Sequence, residues 1–237
     1  MNILDVDFDF WVREDPRWGW DHYEGDAEST EILWGMREED YPEALSRILS
    51  TEDVSPLLFW EHLQGRGMTF APGAEARVAS SHKTIGQYLA DTLPDEEEHT
   101  VYHLDAHHDI LYGPHALHCA TYGEGKGKPR MSCGNWLLLL PYEKRIGEVH
   151  IVYPLWRKEE GFQETSDLNR SQCEQLLHGQ TTLHWTYIDE VSFQDVQIDL
   201  VTVAHSPEWV PPRMDELFEG FLDACPIPRK VLGCIGR

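Results

Sequence analysis

The chain is poor in basic residues. It carries 19 lysines and arginines against 42 aspartates and glutamates, a formal net charge of −23 with histidine neutral. A field of this sign repels nucleic acids and anionic membranes, and it attracts metal ions, guanidinium groups and basic peptides. We therefore expect no nucleic-acid or membrane partner and favour a cationic ligand, although acidity alone also serves solubility.

Features of thiol chemistry and membrane insertion are also lacking. The five cysteines are odd in number, widely spaced and never arranged as CxxC, so neither a zinc–thiolate site nor a disulfide framework is expected. No apolar run approaches membrane-spanning length, and the opening residues MNILDVDFDF carry acids where a signal peptide carries bases. These absences predict a soluble protein of the reducing cytoplasm.

Strand-like and helix-like segments alternate along the 237 residues, without an internal repeat. The alternation predicts one α/β domain over residues 1–237, a three-layer sandwich around a mainly parallel sheet. Strands are predicted at Asn2–Phe8, His99–Leu104, Glu148–Tyr153, His184–Ile188, Asp199–Ala204 and Lys230–Cys234. Helices are predicted at Glu28–Trp34, Pro42–Ser50, Val54–Gln64, Lys83–Thr92, Ser132–Leu140, Asn169–His178 and Pro212–Ala224. The stretches Gly65–Gly73 and Gly113–Met131 are predicted to be loops.

A cluster of metal-binding side chains follows the strand predicted at residues 99–104. Asp105, His107 and Asp109 stand in the motif DAHHD. At positions i, i+2 and i+4 they would share one face of an extended segment. Carboxylates and imidazoles without thiolate suit manganese, iron or zinc. The alternative is a polar loop whose side chains cap the neighbouring backbone.

A second acidic cluster stands in LDVDFDFW, where Asp5, Asp7 and Asp9 repeat with period two. Phe8 and Phe10 fall on the opposite face, and aromatic residues there indicate burial. Buried carboxylates repel one another unless a cation neutralises them. Two acidic clusters at strand ends therefore predict a binuclear metal centre, with an exposed edge strand as the alternative for the second cluster.

A third element is His82 in ASSHKTIGQYL, at a predicted helix start upstream of DAHHD. With these motifs the chain resembles the ureohydrolases (arginases and agmatinases), which carry a GGDHS histidine, then D-A-H-x-D, then a D-x-D pair on another strand. The phrases DFDFW, SCGNWLL and SPEW resemble the branch that contains peptide arginases. Here Ser80 and Ser81 replace the glycines of the family motif. The resemblance implies an arginase-like fold in which the D-x-D strand is permuted to the N-terminus.

The resemblance also implies a cofactor of two Mn²⁺ ions, although the ligand set would accept Fe²⁺ or Zn²⁺. The implied ligands are Asp7, Asp9, His82, Asp105, His107 and Asp109, with Asp7 and Asp105 bridging the ions. The motif DFDFW selects Asp7 and Asp9 and leaves Asp5 as a supporting residue behind them; Asp5 with Asp7 is the alternative register. Two such ions would hold a hydroxide that attacks the guanidinium carbon.

Substrate-handling residues are assigned by the same resemblance. Glu208 in VTVAHSPEW is expected to orient the guanidinium group, with a surface turn as the alternative, and His205 is a weaker candidate. Asn135 is expected either to contact substrate or to fix its turn.

Several histidines and a tryptophan remain to be assigned. The candidate proton donors for the leaving amine are His108, His115 and His118. His103 is expected to be a core histidine, and Trp156 is expected to pack in the core rather than line the substrate mouth.

The implied activity is that of a dimanganese hydrolase of linear amidines. It would convert arginine in a basic peptide, such as a ribosomal precursor peptide, to ornithine and urea. One alternative is a ureohydrolase of free arginine, agmatine or another small guanidino compound. Another is a non-catalytic module that binds metal or a basic peptide. A dimetal phosphoesterase is disfavoured, because Lys83 is the only basic residue among the motifs. Both a monomer and an oligomer are compatible with the sequence.

Overall fold

A computed structural model of the chain describes residues 1–13, 27–45, 48–49, 53–110, 131–159 and 170–233. Within these ranges, seven strands form one sheet in which every neighbouring pair is parallel. Helices pack on both faces of this sheet, as the predicted α/β sandwich requires. None of the helices described is long and apolar enough to cross a membrane.

The strands are β1 Asn2–Asp7, β2 Thr69–Ala79, β3 His99–Leu104, β4 Ile146–Tyr153, β5 Thr182–Tyr187, β6 Gln197–Ala204 and β7 Arg229–Val231. Across the sheet they run in the order β5-β4-β3-β1-β6-β2-β7. The helices are α1 Ala27–Asp40, α2 Pro42–Leu45, α3 Phe59–Gly65, α4 His82–Thr92, α5 Trp136–Glu143, α6 Leu155–Glu159, α7 Arg170–Leu176 and α8 Asp215–Asp223. Short 3-10 turns cover Phe8–Trp11, Pro56–Leu58, Cys133–Asn135 and Pro212–Met214.

Strand β1 lies at the centre of the sheet, between β3 and β6. Its side chains alternate between two apolar cores because successive residues of a strand point to opposite faces. Leu4 and Val6 belong to one core and Ile3 to the other. Both faces of β1 are therefore buried, and the acids that this strand carries are buried with it.

The two cores differ in the helices that cover them. On the face of Leu4 and Val6, the rings of Phe8, Phe59 and Phe221 pack together, drawn from β1's following turn, α3 and α8. On the opposite face, Ile85 of α4 and Trp136 of α5 are fully buried. The second face also receives the acidic side chains at the end of β1, so α4 and α5 are the helices that position the site.

The prediction of a loop at Gly65–Gly73 is wrong, because β2 already begins at Thr69. A shift of pairing register between Phe70 and Glu75 takes up Pro72 and Gly73, the residues that suggested a loop. Strand β2 pairs with β6 on one side and β7 on the other, and these non-local hydrogen bonds outweigh the local turn signal.

The helix predicted at Pro42–Ser50 is also too long. Helix α2 ends at Leu45, and Leu49 pairs instead with Val12 in an isolated antiparallel bridge. The predicted loop Gly113–Met131 lies outside the described residues except for Met131.

The contact between α4 and α5 gives a test of the fold. A Cβ at Gly86 would lie 2.8 Å from the Cβ of Trp136 and 2.5 Å from the sulfur of Met131. We expect Gly86→Ala to lower the free energy of unfolding by about 1–3 kcal/mol, because α4 must move away from α5. Urea unfolding followed by circular dichroism measures this change.

The matched control is Gly35→Ala in α1, where a Cβ would meet nothing within 4 Å. This exposed helical position should gain about 0.5–1 kcal/mol from the better helix former. Equal effects of the two substitutions would contradict the close packing of α4 against α5.

Candidate metal centre

The carboxyl ends of β1, β3 and β6 meet at one edge of the sheet, and a pocket opens there. Its lining consists of Asp7, Asp9, His82, His107, Asp109, Cys133, Gly134, Ser206, Glu208 and Trp209. Asp105 lies buried beside it, 1% exposed. Ligands of parallel sheets commonly bind here, just beyond the carboxyl ends of the strands. The residues predicted from three separate motifs are thus brought together.

The acids of LDVDFDFW reach the pocket by a different route from the predicted one. Strand β1 ends at Asp7, and Phe8–Trp11 form a 3-10 turn. The Asp9 N–H donates to Asp7 Oδ1 at 2.9 Å, so Asp7 caps this turn. The prediction that Asp9 continues the face of an extended strand is therefore wrong, and the turn brings Asp9 to the pocket. Phe8 and Phe10 are buried, as predicted.

The DAHHD motif also leaves the sheet before its ligands begin. Strand β3 ends at Leu104, and Asp105, His107 and Asp109 lie in an irregular segment. The His107 N–H donates to Asp105 Oδ1 at 2.7 Å, and Asp109 has the left-handed backbone angle φ 50°. A tight turn, and not the alternation of an extended strand, makes these three side chains converge.

His82 is the first residue of α4, which confirms the predicted helix start. Ser81 caps this helix by accepting from the Lys83 N–H at 3.1 Å. The Nδ1 atom of His82 lies 2.9 Å from Asp109 Oδ2 and 3.1 Å from Asp7 Oδ2. Asp105 Oδ2 is 3.5 Å from the same nitrogen. One ring nitrogen thus faces three carboxylates.

Two compact groups of ligand atoms share Asp105. One contains Asp7, His82 and Asp105, the other contains Asp9, Asp105 and His107, and within each group the atoms lie within 4.8 Å of one another. In the second group, His107 Nδ1 is 3.0 Å from Asp9 Oδ2 and 3.4 Å from Asp105 Oδ1. Buried aspartate and histidine groups of this kind could hold a metal ion.

Asp5 and His103 lie behind the pocket and do not line it. Asp5 Oδ1 accepts from the Thr202 hydroxyl at 2.5 Å. Asp5 Oδ2 is hydrogen-bonded to His103 Nδ1 at 2.7 Å and lies 2.9 Å from His82 Nε2. His103 Nε2 is 3.2 Å from Asp105 Oδ2, so this buried histidine links the two acidic motifs.

Other groupings of the same side chains are equally compact. Asp5, His82 and His103 form one, and His103, Asp105 and Asp109 form another. Both alternatives use His103, which lies behind the pocket and is hydrogen-bonded to Asp5 through Nδ1.

Electrostatics provide the test of whether a cation fits. Burial raises the pKa of Asp9 well above its ordinary value, and the charges of Asp105 and Asp7 raise it further. Burial and the charge of Asp105 likewise raise the pKa of Asp7. Asp9 Oδ2 and Asp105 Oδ2 are buried and accept no hydrogen bond from the part of the chain that the structure describes. A cation between them would remove the repulsion and satisfy these oxygens.

The histidines carry the complementary shifts. Burial alone would lower the pKa of His82, but the charges of Asp5 and Asp7 raise it well above its ordinary value. Burial also opposes protonation of His103, but Asp105 and Asp5 raise its pKa to about 10. Burial would raise the pKa of Asp5, whereas His82 and His103 lower it to about 2. The buried carboxylates that favour protonated histidines would favour a metal cation for the same electrostatic reason.

Two residues at the site were not identified from the sequence. The indole N–H of Trp136 donates to Asp109 Oδ2 at 2.8 Å, and its ring stacks on His82 with centroids 5.3 Å apart. The Ser206 hydroxyl donates to Asp7 Oδ2, and Ser206 has the positive φ of 48°. Its N–H donates to the Ser80 carbonyl, which joins the ends of β6 and β2. No periodic pattern in the sequence predicts that Trp136 or Ser206 would contact the acids of the site.

Of the residues expected to contact substrate, Glu208 lines the pocket, whereas Asn135 and His205 do not. Glu208 is half-buried in the pocket lining beside Trp209. Asn135 Oδ1 accepts from the Ser132 N–H at 2.7 Å and fixes the turn before α5. His205 is turned away from the pocket and stacks on Phe218 at 4.3 Å.

Of the three candidate proton donors, His108 is the one that lies among the described residues. His108 is buried outside the pocket lining, and burial lowers its pKa to about 4. Its Nδ1 accepts from the Ile110 N–H at 3.1 Å. His115 and His118 lie outside the described residues. Trp156 is a core residue, as expected, and its indole donates to the Phe10 carbonyl.

The repulsion within the site predicts opposite effects of one substitution. Asp9→Asn keeps the shape of the side chain and removes a charge, so the metal-free protein should melt at a higher temperature. The same change should weaken Mn²⁺ binding by about 10- to 100-fold, because the ligand loses its negative charge and one of its two oxygens. Differential scanning calorimetry and isothermal titration calorimetry measure the two effects.

The matched control for this prediction is the exposed Asp91. Asp91→Asn should leave the melting temperature and the Mn²⁺ affinity unchanged. Unchanged Mn²⁺ binding in Asp9→Asn would remove that residue from the metal centre.

No protein-family model, curated protein or solved structure matches this chain.

Proposed function

We propose that the chain is a metal-dependent hydrolase that converts arginine side chains of a peptide to ornithine and urea, with two Mn²⁺ ions as cofactor. The proposed fold is the arginase-like sandwich with its D-x-D strand moved to the N-terminus. One observation carries the proposal: two Asp/His groups share the buried Asp105 beside a pocket that Glu208 lines.

Each Asp/His group would hold one ion. His82, Asp7, Asp105 and Asp109 would bind the first; His107, Asp7, Asp9 and Asp105 would bind the second. When bound, two divalent cations lower the pKa of a shared water and supply a nucleophile at neutral pH. The excess of carboxylate over imidazole favours Mn²⁺, and Fe²⁺ or Zn²⁺ would also be accepted.

Asp5 has a positioning role in this scheme. Its Oδ2 atom lies 2.9 Å from His82 Nε2 and would keep a proton on that nitrogen. The lone pair of Nδ1, which faces Asp7 and Asp109, is then available to a cation. Carboxylate partners of this kind fix the tautomer and orientation of histidine ligands.

Glu208 is the proposed partner of the guanidinium group. A carboxylate can accept two parallel N–H donors from this planar cation and so hold its carbon in one place. The neighbouring Trp209 ring lies 5.0 Å from the His107 ring and already has the Arg37 guanidinium 5.9 Å from its centroid. Among the described residues of the lining, none is lysine or arginine, which disfavours a phosphate substrate.

The net charge of −23 supports a basic peptide over a free amino acid. Free arginine carries an α-carboxylate that this acidic surface would repel, whereas a peptide can present arginine with further positive charge nearby. Within this proposal the protein acts in the cytoplasm on an arginine-containing peptide, such as a ribosomal precursor.

The activity is tested by mass spectrometry of an arginine-containing peptide after incubation with Mn²⁺-loaded protein, with free arginine in parallel. We expect arginine in the peptide to become ornithine, with urea released in equal amount, and free arginine to remain. Asp105→Asn should abolish turnover because it removes the carboxylate shared by both groups, and Asp91→Asn should retain it.

The remaining outcomes separate the alternatives. Turnover of free arginine or agmatine alone would replace the peptide by a small guanidino substrate. Tight Mn²⁺ binding without turnover of any guanidino compound would indicate a non-catalytic module and overturn the hydrolase.

The role of Glu208 is tested by Glu208→Gln, which keeps the side-chain length and removes the charge. Loss of a charged hydrogen bond worth about 1.5–3 kcal/mol should lower kcat/KM for the peptide by about 10- to 100-fold. Mn²⁺ affinity should stay unchanged. The exposed Glu174 provides the control Glu174→Gln, for which kcat/KM should equal that of the wild type.

A further inference from the structure

A second group of potential metal ligands lies on β4 and β5. It consists of Glu148, His150 and His184, whose ligand atoms lie within 4.8 Å of one another. The strand register pairs His150 with Tyr102 on one side and with His184 on the other. Three rings therefore stand in a row across β3, β4 and β5.

The rings in this row are stacked. Tyr102 and His150 have centroids 4.5 Å apart with planes at 14°, and His150 and His184 have centroids 4.5 Å apart with planes at 17°. Glu148 Oε2 lies 3.3 Å from His150 Nε2 and 3.9 Å from His184 Nε2. Both imidazoles thus turn the same nitrogen toward one carboxylate oxygen.

This group is separate from the pocket at the end of β1. Tyr102 belongs to the core on the face of Leu4 and Val6. The next residue, His103, points to the opposite face and contacts Asp5 and Asp105. Because neighbouring residues of a strand alternate between faces, the sheet itself lies between the two groups.

We propose that Glu148, His150 and His184 form a surface site for a divalent transition metal ion such as Zn²⁺, which would tie edge strand β5 to β4. Ligand atoms bound tetrahedrally at about 2.0–2.2 Å lie about 3.3–3.6 Å from one another. The 3.3 Å separation of His150 and Glu148 already fits. Water would complete the coordination.

Binding requires a small movement of one ring. Two stacked imidazoles point their lone pairs in parallel, so one ring must turn for both to reach the same ion. His184 has 43% of its side chain exposed and can turn about its χ2 angle. His150 is held between Tyr102 and His184 and provides the fixed ligand.

The ligand types determine which ion is expected. Two imidazoles and one carboxylate suit Zn²⁺, Cu²⁺ or Ni²⁺ better than Mn²⁺ or Ca²⁺, which prefer oxygen ligands. Strand β5 is paired only with β4 among the described strands. A metal bridge from β4 would therefore brace this edge strand, which has only one neighbour to hold it.

The test uses metal-free protein dialysed against Zn²⁺, with the bound zinc counted by elemental analysis. Compared with wild type, His184→Ala should bind one zinc ion fewer, or bind it at least about tenfold more weakly in calorimetric titration. Glu148→Gln should show the same loss. Because His184 and Glu148 are exposed, neither substitution should prevent folding.

The matched control is His178→Ala, which removes an exposed histidine from the segment after α7. It should bind as much zinc as the wild type. Zn²⁺ should also raise the melting temperature less in His184→Ala than in His178→Ala. Equal zinc binding by wild type, His184→Ala and Glu148→Gln would overturn the site, and so would an equal loss in His178→Ala.

Discussion

Mutual repulsion among carboxylates buried at the carboxyl ends of the central strands is the constraint on which the site depends. Asp7, Asp9 and Asp105 are each at most 3% exposed, and burial and the charge of Asp105 raise the pKa values of Asp7 and Asp9. An apolar core gains nothing from such a cluster, and burial of charge without a partner is costly. A cation bound between the carboxylates would remove this cost.

The surrounding elements hold these acids from several directions. Helix α4 supplies His82, and α5 supplies Trp136, which donates to Asp109 and stacks on His82. Behind them, Asp5 engages Thr202 of β6 and His103 of β3. Asp109 and Ser206 adopt positive φ angles, a strained conformation that clusters at functional sites. Contacts from several elements of the fold therefore position the acids.

The two faces of the sheet offer different coordination chemistry. The pocket at the end of β1 combines many carboxylates with few imidazoles, which suits hard ions and a guanidinium substrate. On the other face, His150 and His184 present a nitrogen-rich set beside a single glutamate. The proposed hydrolase and the proposed zinc site therefore make separate demands on metal ions, and each can be lost without the other.

The sequence by itself determined which residues would meet, because DAHHD, His82 and the acids of LDVDFDFW carry chemistry that no apolar core requires. It also determined the α/β class and the bounds of β3 through apolar runs and their alternation. Tertiary structure alone decided how the residues meet. Asp9 reaches the pocket through a 3-10 turn, and Asp109 reaches it because its own backbone has a positive φ. Pairing between strands distant in sequence decides the extent of β2 and the position of Ser206. It also brings together the row of Tyr102, His150 and His184. Local pattern does not encode that register, because hydrogen bonds between remote strands and their burial fix it only when the sheet assembles.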